Sequence, residues 1–237
     1  MASHHRSASC FTCQSRDRSE WCAVEGNDLR MLNQVKVANL YQPGQIIFYQ
    51  GNPCLGVYCI EAGTVAVRKT DAQGNSVITR LAHGGDTLGY RAFFGGGPYQ
   101  SSAEALTPTK VCFVDKAAVR HLLDHSPAVG SAFLKHMAHD LEAAEVAKLL
   151  DATLSVRARL AHLLLVLRER FGSVDSEGVL TIELPLSRQD VAAMIGTRPE
   201  TVARAVRSME DAGIAQFSGR TVKVDDLDEL LDEIEAV

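Results

Sequence analysis

Short apolar runs separated by turns dominate the chain from residue 40 to residue 115. Glycine or proline interrupts this region repeatedly, and the stretches between the interruptions are apolar or alternate apolar with polar positions. The runs lie at residues 46–48, 57–60, 64–67, 77–81 and 111–114. Short strands bounded by turn residues are typical of antiparallel sheets that close on themselves, so we predict a small barrel or sandwich here.

Helical spacing replaces this pattern on both sides of the region. Apolar residues three and four apart predict short helices over residues 28–37 and 116–123. Ser126 and Pro127 suit the N-cap and first turn of a long helix that we expect to end near Leu150. Its apolar face comprises Phe133, Leu134, Met137, Ala138, Leu141, Ala144, Val146 and Leu149. This face packs either on the chain's own β region or, as its length favours, against a second copy of the helix.

The two histidines of the long helix, His136 and His139, are interpreted as part of a solvated face. The histidines of the chain have no ligand spacing that indicates a metal site. The carboxylates of Asp140, Glu142 and Glu145 would repel their counterparts across a dimer and weaken it in the absence of a signal.

The last third of the chain has the pattern of two short helices followed by a hairpin. After a helix predicted over residues 155–171, Ser187 and Asp190 form a capping box, and Gly196 separates the helix they begin from one beginning at Pro199. Residues 214–217 and 221–224, joined by Ser-Gly-Arg, predict a hairpin. Two helices with a glycine-containing turn and a following hairpin predict a winged helix-turn-helix that binds double-stranded DNA.

In such a motif the first turns of the second helix enter the major groove. The residues predicted to lie there are Thr197, Arg198, Glu200, Thr201, Arg204 and Arg207. Glu200 and Arg204 are four apart and share a face, so they either form a surface ion pair or accept from cytosine and donate to guanine. We favour base recognition because of the surrounding motif, and we expect Arg188 and Arg220 to contact phosphates.

Together these elements predict an α+β chain with an N-terminal antiparallel β-roll of the jelly-roll type, a dimerisation helix and a C-terminal winged helix-turn-helix. We expect a polar, cysteine-bearing arm over residues 1–27, the β-roll sensor domain over 28–126, the dimerisation helix over 127–153 and the DNA-binding domain over 154–237. No nucleophile–base pair, phosphate-binding loop or carboxylate dyad stands out, so the chain is not predicted to be an enzyme.

Composition indicates an ordinary globular protein, with 46% hydrophobic and 22% charged residues. The longest apolar stretch, around residues 160–167, is too short to cross a membrane, and residues 1–18 lack the apolar core of a signal peptide, so we expect a cytoplasmic protein without membrane contacts. The net charge of −5 argues against DNA binding until its distribution is considered. Seven acidic and no basic residues lie in 225–237, whereas residues 185–224 carry six basic and four acidic residues.

Several motifs resemble one family in order and spacing. They are residues 43–51 (Pro-Gly-Gln-Ile-Ile-Phe-Tyr-Gln-Gly), 58–65 and 85–89 in the β region, and residues 186–192 and 196–204 in the DNA-binding region. The sequence resembles the CRP/FNR superfamily of bacterial transcription regulators over nearly its whole length. The resemblance implies a homodimer that binds a palindromic site, a base-reading role for Glu200 and Arg204, and RNA polymerase as a partner in activating transcription.

The resemblance also bears on the six cysteines. The oxygen-sensing branch holds a [4Fe–4S] cluster on three N-terminal cysteines, beginning Cys-x-x-Cys, and one central cysteine in a segment like residues 105–112. The implied ligands are Cys10, Cys13, Cys22 and Cys112, with eight residues between the second and third where five are expected. The competing interpretations are a Cys10–Cys13 disulfide switch, a zinc site and no function at all. Cys54 and Cys59 are interpreted as small buried hydrophobes.

The effector of the cyclic-nucleotide-binding branch is not expected. Those members have Gly-Glu for the ribose and Arg-Ser or Arg-Thr for the phosphate, where this chain has Gly89-Tyr90 and about Tyr99-Gln100. A phosphate diester without a cation loses hydration without compensation, so we expect no cyclic AMP. An alternative to the cluster is a small molecule bound in the β-roll near Tyr90, Arg91 and Tyr99.

Overall fold

The computed structural model describes residues 9–176 and 178–235. Residues 1–8 of the predicted arm and 236–237 of the predicted DNA-binding domain therefore lie outside the described residues. The chain divides into two compact units between Leu141 and Glu142.

The N-terminal unit is built on two antiparallel sheets of four strands each. The strands are β1 (Val37–Tyr41), β2 (Ile46–Phe48), β3 (Gly56–Ala62), β4 (Thr64–Thr70), β5 (Ser76–His83), β6 (Thr87–Leu88), β7 (Ser102–Ala105) and β8 (Thr109–Asp115). One sheet has the order β1-β8-β3-β6 and the other the order β2-β7-β4-β5. Both contain strands distant in sequence, as expected for a β-roll, and every predicted apolar run lies in one of these strands.

Helices and turns flank the roll. The arm forms two 3-10 turns, Arg16–Arg18 and Glu20–Ala23, before α1 (Gly26–Val35). Helix α2 (Tyr90–Gly95) lies between β6 and β7, and α3 (Lys116–His125) begins where the Asp115 carboxylate accepts from the backbone N–H of Ala118. Leu32 of α1, Leu122 of α3 and Trp21 of the arm belong to one buried cluster, so the arm is part of the core of this unit.

The long helix α4 (Pro127–Thr153) begins as predicted at Pro127 and extends three residues beyond Leu150. Val129 and Phe133 are fully buried in the core of the N-terminal unit. Other apolar side chains of the helix are largely exposed in the single chain, namely Leu134, Leu141, Val146 and Leu149. Val129, Phe133 and the partly buried Met137 therefore pack on their own domain, whereas the four exposed side chains are uncovered.

The described part of the C-terminal unit contains the end of α4, four further helices and a small antiparallel sheet. Its elements are α5 (Val156–Phe171), β9 (Gly172–Val174), β10 (Leu180–Glu183), α6 (Arg188–Met194), α7 (Pro199–Asp211), β11 (Gln216–Ser218), β12 (Thr221–Val224) and α8 (Leu227–Glu235). The sheet order is β11-β12-β10-β9. The predicted α+β class, with a β-roll, a long helix and a winged helix-turn-helix, is confirmed. None of the helices in the described part of the chain is both long and apolar enough to span a bilayer.

The acidic C-terminal stretch is a packed helix, which the sequence analysis did not predict. Leu230 of α8 is fully buried, and the guanidinium of Arg157 on α5 pairs with the carboxylate of Glu233. The carboxylates of Asp228, Glu229 and Asp232 therefore lie on the exposed side of a packed amphipathic helix, while the carboxylate of Glu233 faces Arg157.

Candidate cysteine site and nucleic-acid interface

Four cysteines line one small cavity in the N-terminal unit. Cys10 and Cys13 of the arm and Cys59 and Cys112 of the sheet surround a space of about 40 Å³. The rest of its lining is mainly apolar, with the cations of Arg16 and Lys36 and the carboxylate of Glu61 in addition. The arm and the central strands of the roll thus bring thiols together that are far apart in the sequence.

The two sheet cysteines are direct cross-strand neighbours. Cys59 on β3 and Cys112 on β8 are paired in the antiparallel register. Side chains of such a pair project from the same face of the sheet, with Cβ atoms about 4.5–5.5 Å apart. On the arm side, the backbone N–H of Cys10 donates to the side-chain oxygen of Asn33 at 2.8 Å, which fixes the buried Cys10 against α1.

The other two cysteines lie elsewhere. Cys22 belongs to the 3-10 turn Glu20–Ala23, is exposed, and does not line the cavity. Cys54 is buried in the core of the roll, where its thiol donates to the carbonyl of Gly56 at 3.5 Å. Of the four cysteines implied by the resemblance, the structure therefore brings three together and adds Cys59, which the sequence analysis had interpreted as a core residue.

The environment of the cavity favours protonated thiols. Burial raises the pKa of Cys10, and the nearby cation of Lys36 opposes that shift. Burial together with the charge of Glu61 raises the pKa of Cys112 to about 12, and burial holds the pKa of Cys59 well above its usual value. Since thiolates are the metal-binding form, a metal would have to displace these protons. Across residues 9–176 and 178–235, no three His, Cys, Asp or Glu side chains are arranged to hold a metal ion.

A buried hydrogen-bond chain anchors the arm next to Cys22. The indole N–H of Trp21 donates to the Thr87 hydroxyl at 2.9 Å, and that hydroxyl donates to the carboxylate of Glu20 at 2.6 Å. Glu20 also contacts the imidazole of His136 on α4. Burial by itself would raise the pKa of the Glu20 carboxylate. The hydrogen bonds from His136 and Thr87 outweigh burial, so the pKa of Glu20 lies below its ordinary value.

Two glycines of the roll allow the arm to approach this closely. A Cβ atom at Gly84 would lie 2.9 Å from the carbonyl oxygen of Glu61 and 3.1 Å from the Ser15 hydroxyl, and Gly85 has a φ of +106° beside Arg18. The Ser15 hydroxyl donates to the same Glu61 carbonyl at 2.6 Å. A larger side chain at position 84 would therefore displace the arm.

Asp140 on α4 is the centre of a second polar cluster. It accepts hydrogen bonds from the guanidinium groups of Arg80 at 2.9 Å and Arg91 at 2.8 Å, and from the hydroxyl of Tyr90. The interpretation of His136 as part of a solvated face is therefore wrong, because its partner Glu20 comes from the arm, which the helical pattern alone does not reveal. Asp140, which was expected to repel its counterpart across a dimer, instead binds Arg80 of β5 and Arg91 of α2 in its own chain.

The residues of the alternative ligand pocket have other roles in the structure. Tyr90 and Arg91 bind Asp140. Tyr99 stacks on Phe48 with 4.3 Å between ring centroids and donates to the carbonyl of Gly56. The cysteine cavity and the cleft at residues 39–49 are both lined by other residues, so these three side chains surround neither of them.

The second candidate site is the helix-turn-helix. The capping box at the start of α6 is present, with the Ser187 hydroxyl accepting from the backbone of Asp190 and the Asp190 carboxylate accepting from the backbone of Ser187. Helix α7 buries Val202, Ala205, Val206 and Met209. The opposite side exposes Arg198, Glu200, Ala203, Arg204 and Arg207, while Thr197 and Thr201 are half-buried.

The exposed side chains of α7 are available to a ligand. Within residues 178–235, no ion pair joins Glu200 to Arg204, and Arg204 donates to the Thr201 hydroxyl at 3.2 Å. The guanidinium of Arg188 lies over the ring of Phe217 on the hairpin, 5.8 Å from its centre. Arg220 is exposed between β11 and β12. The first helix, the second helix and the hairpin therefore each present cations, as a DNA-binding surface requires.

Two domain families match the chain. Residues 39–126 match the cyclic nucleotide-binding domain, and residues 158–233 match the Crp-like helix-turn-helix domain. The two matches together span more than half of the 237 residues.

The similar proteins include transcription regulators from several bacteria. The transcriptional activator protein FnrL of Cereibacter sphaeroides is 27% identical over 228 residues, which cover 94% of this chain and 91% of that protein. The CRP-like cAMP-activated global transcriptional regulator of Mycobacterium tuberculosis is 27% identical over 188 residues, or 79% and 83% of the two chains. Among solved structures, FixK2 from Bradyrhizobium japonicum has a TM-score of 0.71 at 26% identity, covering 84% of this chain and 96% of its own.

Proposed function

Because the chain belongs to the CRP/FNR superfamily of transcription regulators, we propose that it acts in the cytoplasm as a homodimer that senses oxygen, nitric oxide or redox state. The family consists of DNA-binding regulators and not of enzymes. The proposal has three parts: a DNA-reading surface on α7, a dimer seam on α4, and a [4Fe–4S] cluster at the cysteine cavity.

On DNA, each subunit reads one half of a palindromic site. Glu200 accepts from a cytosine amino group and Arg204 donates to a guanine, since both are exposed on one face of α7 and are not paired with each other. Arg188 and Arg220 contact phosphates, Arg198 and Arg207 extend the basic surface, and the half-buried Thr197 and Thr201 are further candidate DNA contacts. RNA polymerase is the expected protein partner at the promoter.

The dimer forms along α4. The exposed apolar residues Leu134, Leu141 and Leu149 recur at intervals of seven and eight residues, close to the repeat of a coiled coil. A second copy is the occupant because a palindromic site requires two identical reading helices. The predicted repulsion by Asp140 is not part of this proposal, since that carboxylate binds Arg80 and Arg91 of its own chain.

The shared cavity of Cys10, Cys13 and Cys112 is the observation that supports the cluster. Sulfur donors from a short arm and a fixed strand match the chemistry of a cluster site, and Arg16 and Lys36 offset the negative charge of the thiolates. The resemblance gives Cys22 as the fourth ligand. When bound, the cluster would supply a group that reacts with oxygen and nitric oxide.

Residues of this chain would carry the signal from the cavity to α4. The arm that bears Cys10 and Cys13 continues into the turn whose Glu20 contacts His136 of α4. A docked arm therefore stabilises one arrangement of the helix, and release of the arm removes the contact. A difference of a few kcal/mol between the two states is sufficient to shift such an equilibrium.

The test is anaerobic purification followed by iron and sulfide analysis, with DNA affinity measured before and after exposure to oxygen. We expect iron, sulfide, visible absorption and an affinity that falls on oxidation. The Cys54→Ala variant is the control, because Cys54 lies in the core of the roll and does not line the cavity. A colourless, iron-free protein that binds DNA equally well after replacement of Cys10, Cys13, Cys22 and Cys112 would contradict the proposal.

A thiol–disulfide switch is the second candidate, since Cys10 and Cys13 line the same cavity. Two thiols would form one disulfide while hydrogen peroxide is reduced to water. Mass spectrometry of the peroxide-treated protein distinguishes this candidate by a loss of two hydrogens between these residues together with a change in DNA affinity.

Cyclic AMP is excluded from the proposal for reasons of space and charge. The rings of Phe48, Tyr58 and Tyr99 stack in the interior of the roll, and the nearby cation of Arg91 is bound to Asp140. We expect cyclic AMP to leave the thermal midpoint of unfolding unchanged. A ligand that binds, present at a hundred times its Kd, would add about 2.7 kcal/mol to the free energy of unfolding and raise that midpoint.

A further inference from the structure

Cys59 faces the same cavity as three of the proposed cluster ligands, and Cys22 does not. We infer that the fourth thiolate of the cluster site is Cys59, so that Cys10, Cys13, Cys59 and Cys112 form the ligand set. This inference rests on the proposed cluster, and it reassigns one of the four ligands that the resemblance implies.

The sheet geometry places Cys59 beside a ligand. Cys59 and Cys112 are paired across β3 and β8 near the centre of their sheet, where neither strand is an edge. Two sulfur atoms on adjacent strands are held by the backbone ladder and need only side-chain rotation to point at a common centre. The arm then has to supply two ligands, Cys10 and Cys13, which already line the cavity.

Cys22 is held away from the cavity by the residues on either side of it. Three contacts fix its turn. The Trp21 indole donates to the Thr87 hydroxyl, that hydroxyl donates to the Glu20 carboxylate, and Glu20 contacts the imidazole of His136. Val24, two residues later, is fully buried in the same core as Trp21. Bringing the Cys22 sulfur inward would break buried hydrogen bonds and remove apolar side chains from the core, whereas Cys59 requires neither.

The chemistry at Cys59 is a simple exchange. If the cluster binds, a sulfur–iron bond would replace the S–H bond of Cys59, and the proton would leave to solvent. No change in oxidation state of the sulfur is involved. Lys36 and Arg16, which line the cavity, place positive charge near the thiolates that result.

The experiment compares single variants of the full chain reconstituted anaerobically with iron salts, sulfide and a thiol reductant. Iron and acid-labile sulfide per chain are measured for the wild type, Cys22→Ser, Cys59→Ser and the control Cys54→Ser. We expect Cys22→Ser and Cys54→Ser to retain wild-type iron and Cys59→Ser to retain less than about a tenth of it. Retention by Cys59→Ser, or loss by Cys22→Ser, overturns the assignment while leaving a cluster in the protein. An iron-free wild type contradicts the proposed function itself.

A second measurement does not depend on the folding of a variant. The anaerobic wild type with iron bound and the iron-free wild type are both treated with iodoacetamide, and alkylation of Cys22 is followed by mass spectrometry. Because Cys22 is exposed, we expect equal rates in the two forms. Protection of Cys22 only when iron is bound overturns the inference.

The iron analysis is also repeated on Cys59→Ala, because alanine adds no buried hydroxyl. Thermal unfolding of this variant checks that it is folded.

Discussion

At the scale of single residues, His136 is the most informative position. It lies on α4, and its partners are Glu20 from the arm and Asp140 and Arg80 from the polar cluster. The hydrogen bond to Glu20 raises the pKa of His136, burial opposes this, and the net shift is upward from 6.5. The imidazole of His136 therefore joins the arm to the long helix.

This shift predicts a pH dependence of stability. A group whose pKa is raised by folding contributes fully below its unfolded value, here about 6.5, and its contribution is lost as the pH rises through the folded value. The wild type should thus lose free energy of unfolding as the pH increases above about 6.5. Asparagine keeps a hydrogen-bond donor but does not titrate. In His136→Asn the free energy of unfolding should therefore fall less steeply with rising pH than in the wild type.

The measurement is urea unfolding of the full chain at a series of pH values. His139→Asn is the matched control, since His139 lies on the same helix and is exposed. Parallel curves for the wild type and His136→Asn would show that His136 does not stabilise the arm contact.

At the scale of elements, α7 and the hairpin are expected to differ in what they contribute to DNA binding. Arg204 lies on the exposed face of the recognition helix, whereas Arg220 lies between the two hairpin strands. A base contact changes the preference for one base pair, whereas a phosphate contact changes affinity for every sequence and its dependence on salt.

We predict that Arg204→Ala weakens binding to the preferred site by about 1–3 kcal/mol and relaxes specificity at one base pair. Arg220→Ala should weaken binding to all duplexes similarly and reduce the salt slope by about 1. Fluorescence anisotropy titrations on single-base-pair variants of the site, at several salt concentrations, measure both effects. A uniform loss for Arg204→Ala would instead identify it as a phosphate contact.

Helix α8 provides a second prediction at this scale. Leu230 is fully buried, and its neighbour Leu231 is 37% exposed, so the two leucines form a matched pair in one helix. Leu230→Ala should reduce the free energy of unfolding by about 2–5 kcal/mol. Leu231→Ala should cost less than half as much, because less apolar area is lost from contact with the protein.

Circular dichroism during urea unfolding is the appropriate measurement, since it follows the helical content of the chain, to which the C-terminal unit contributes α5 to α8. DNA affinity of the folded Leu230→Ala protein gives a second readout. Equal stabilities of the two variants would mean that α8 is a solvated tail and not part of the domain.

At the scale of the whole molecule, the exposed apolar residues of α4 determine the oligomeric state. Leu149→Glu places a charge in the proposed seam and should raise the dimer dissociation constant at least tenfold, which is about 1.4 kcal/mol. Leu55→Glu is the control, because Leu55 is 66% exposed but lies outside α4. Sedimentation equilibrium measures the dimer dissociation constants of both variants. An unchanged dissociation constant for Leu149→Glu places the interface elsewhere.

The same scale shows what the sequence could and could not predict. The capping box of Ser187 and Asp190 was predictable because both partners lie within one helical turn. The pairing of Cys59 with Cys112 was not, because it depends on the register of two distant strands. Helix α8 could have been found, since Leu227, Leu230, Leu231 and Ile234 recur at helical spacing, but the surrounding acidic residues obscured that pattern.

The anchored turn of the arm has a consequence for observing the molecule in solution. Trp21 is the only tryptophan of the chain, its ring is 2% exposed, and it lines the cysteine cavity. Its indole emission therefore reports on this one place, shifting to the red as the ring meets water and dimming when an iron chromophore is close enough to absorb the energy. The protein thus carries an intrinsic optical probe that follows docking of the arm in real time, without a label and without DNA.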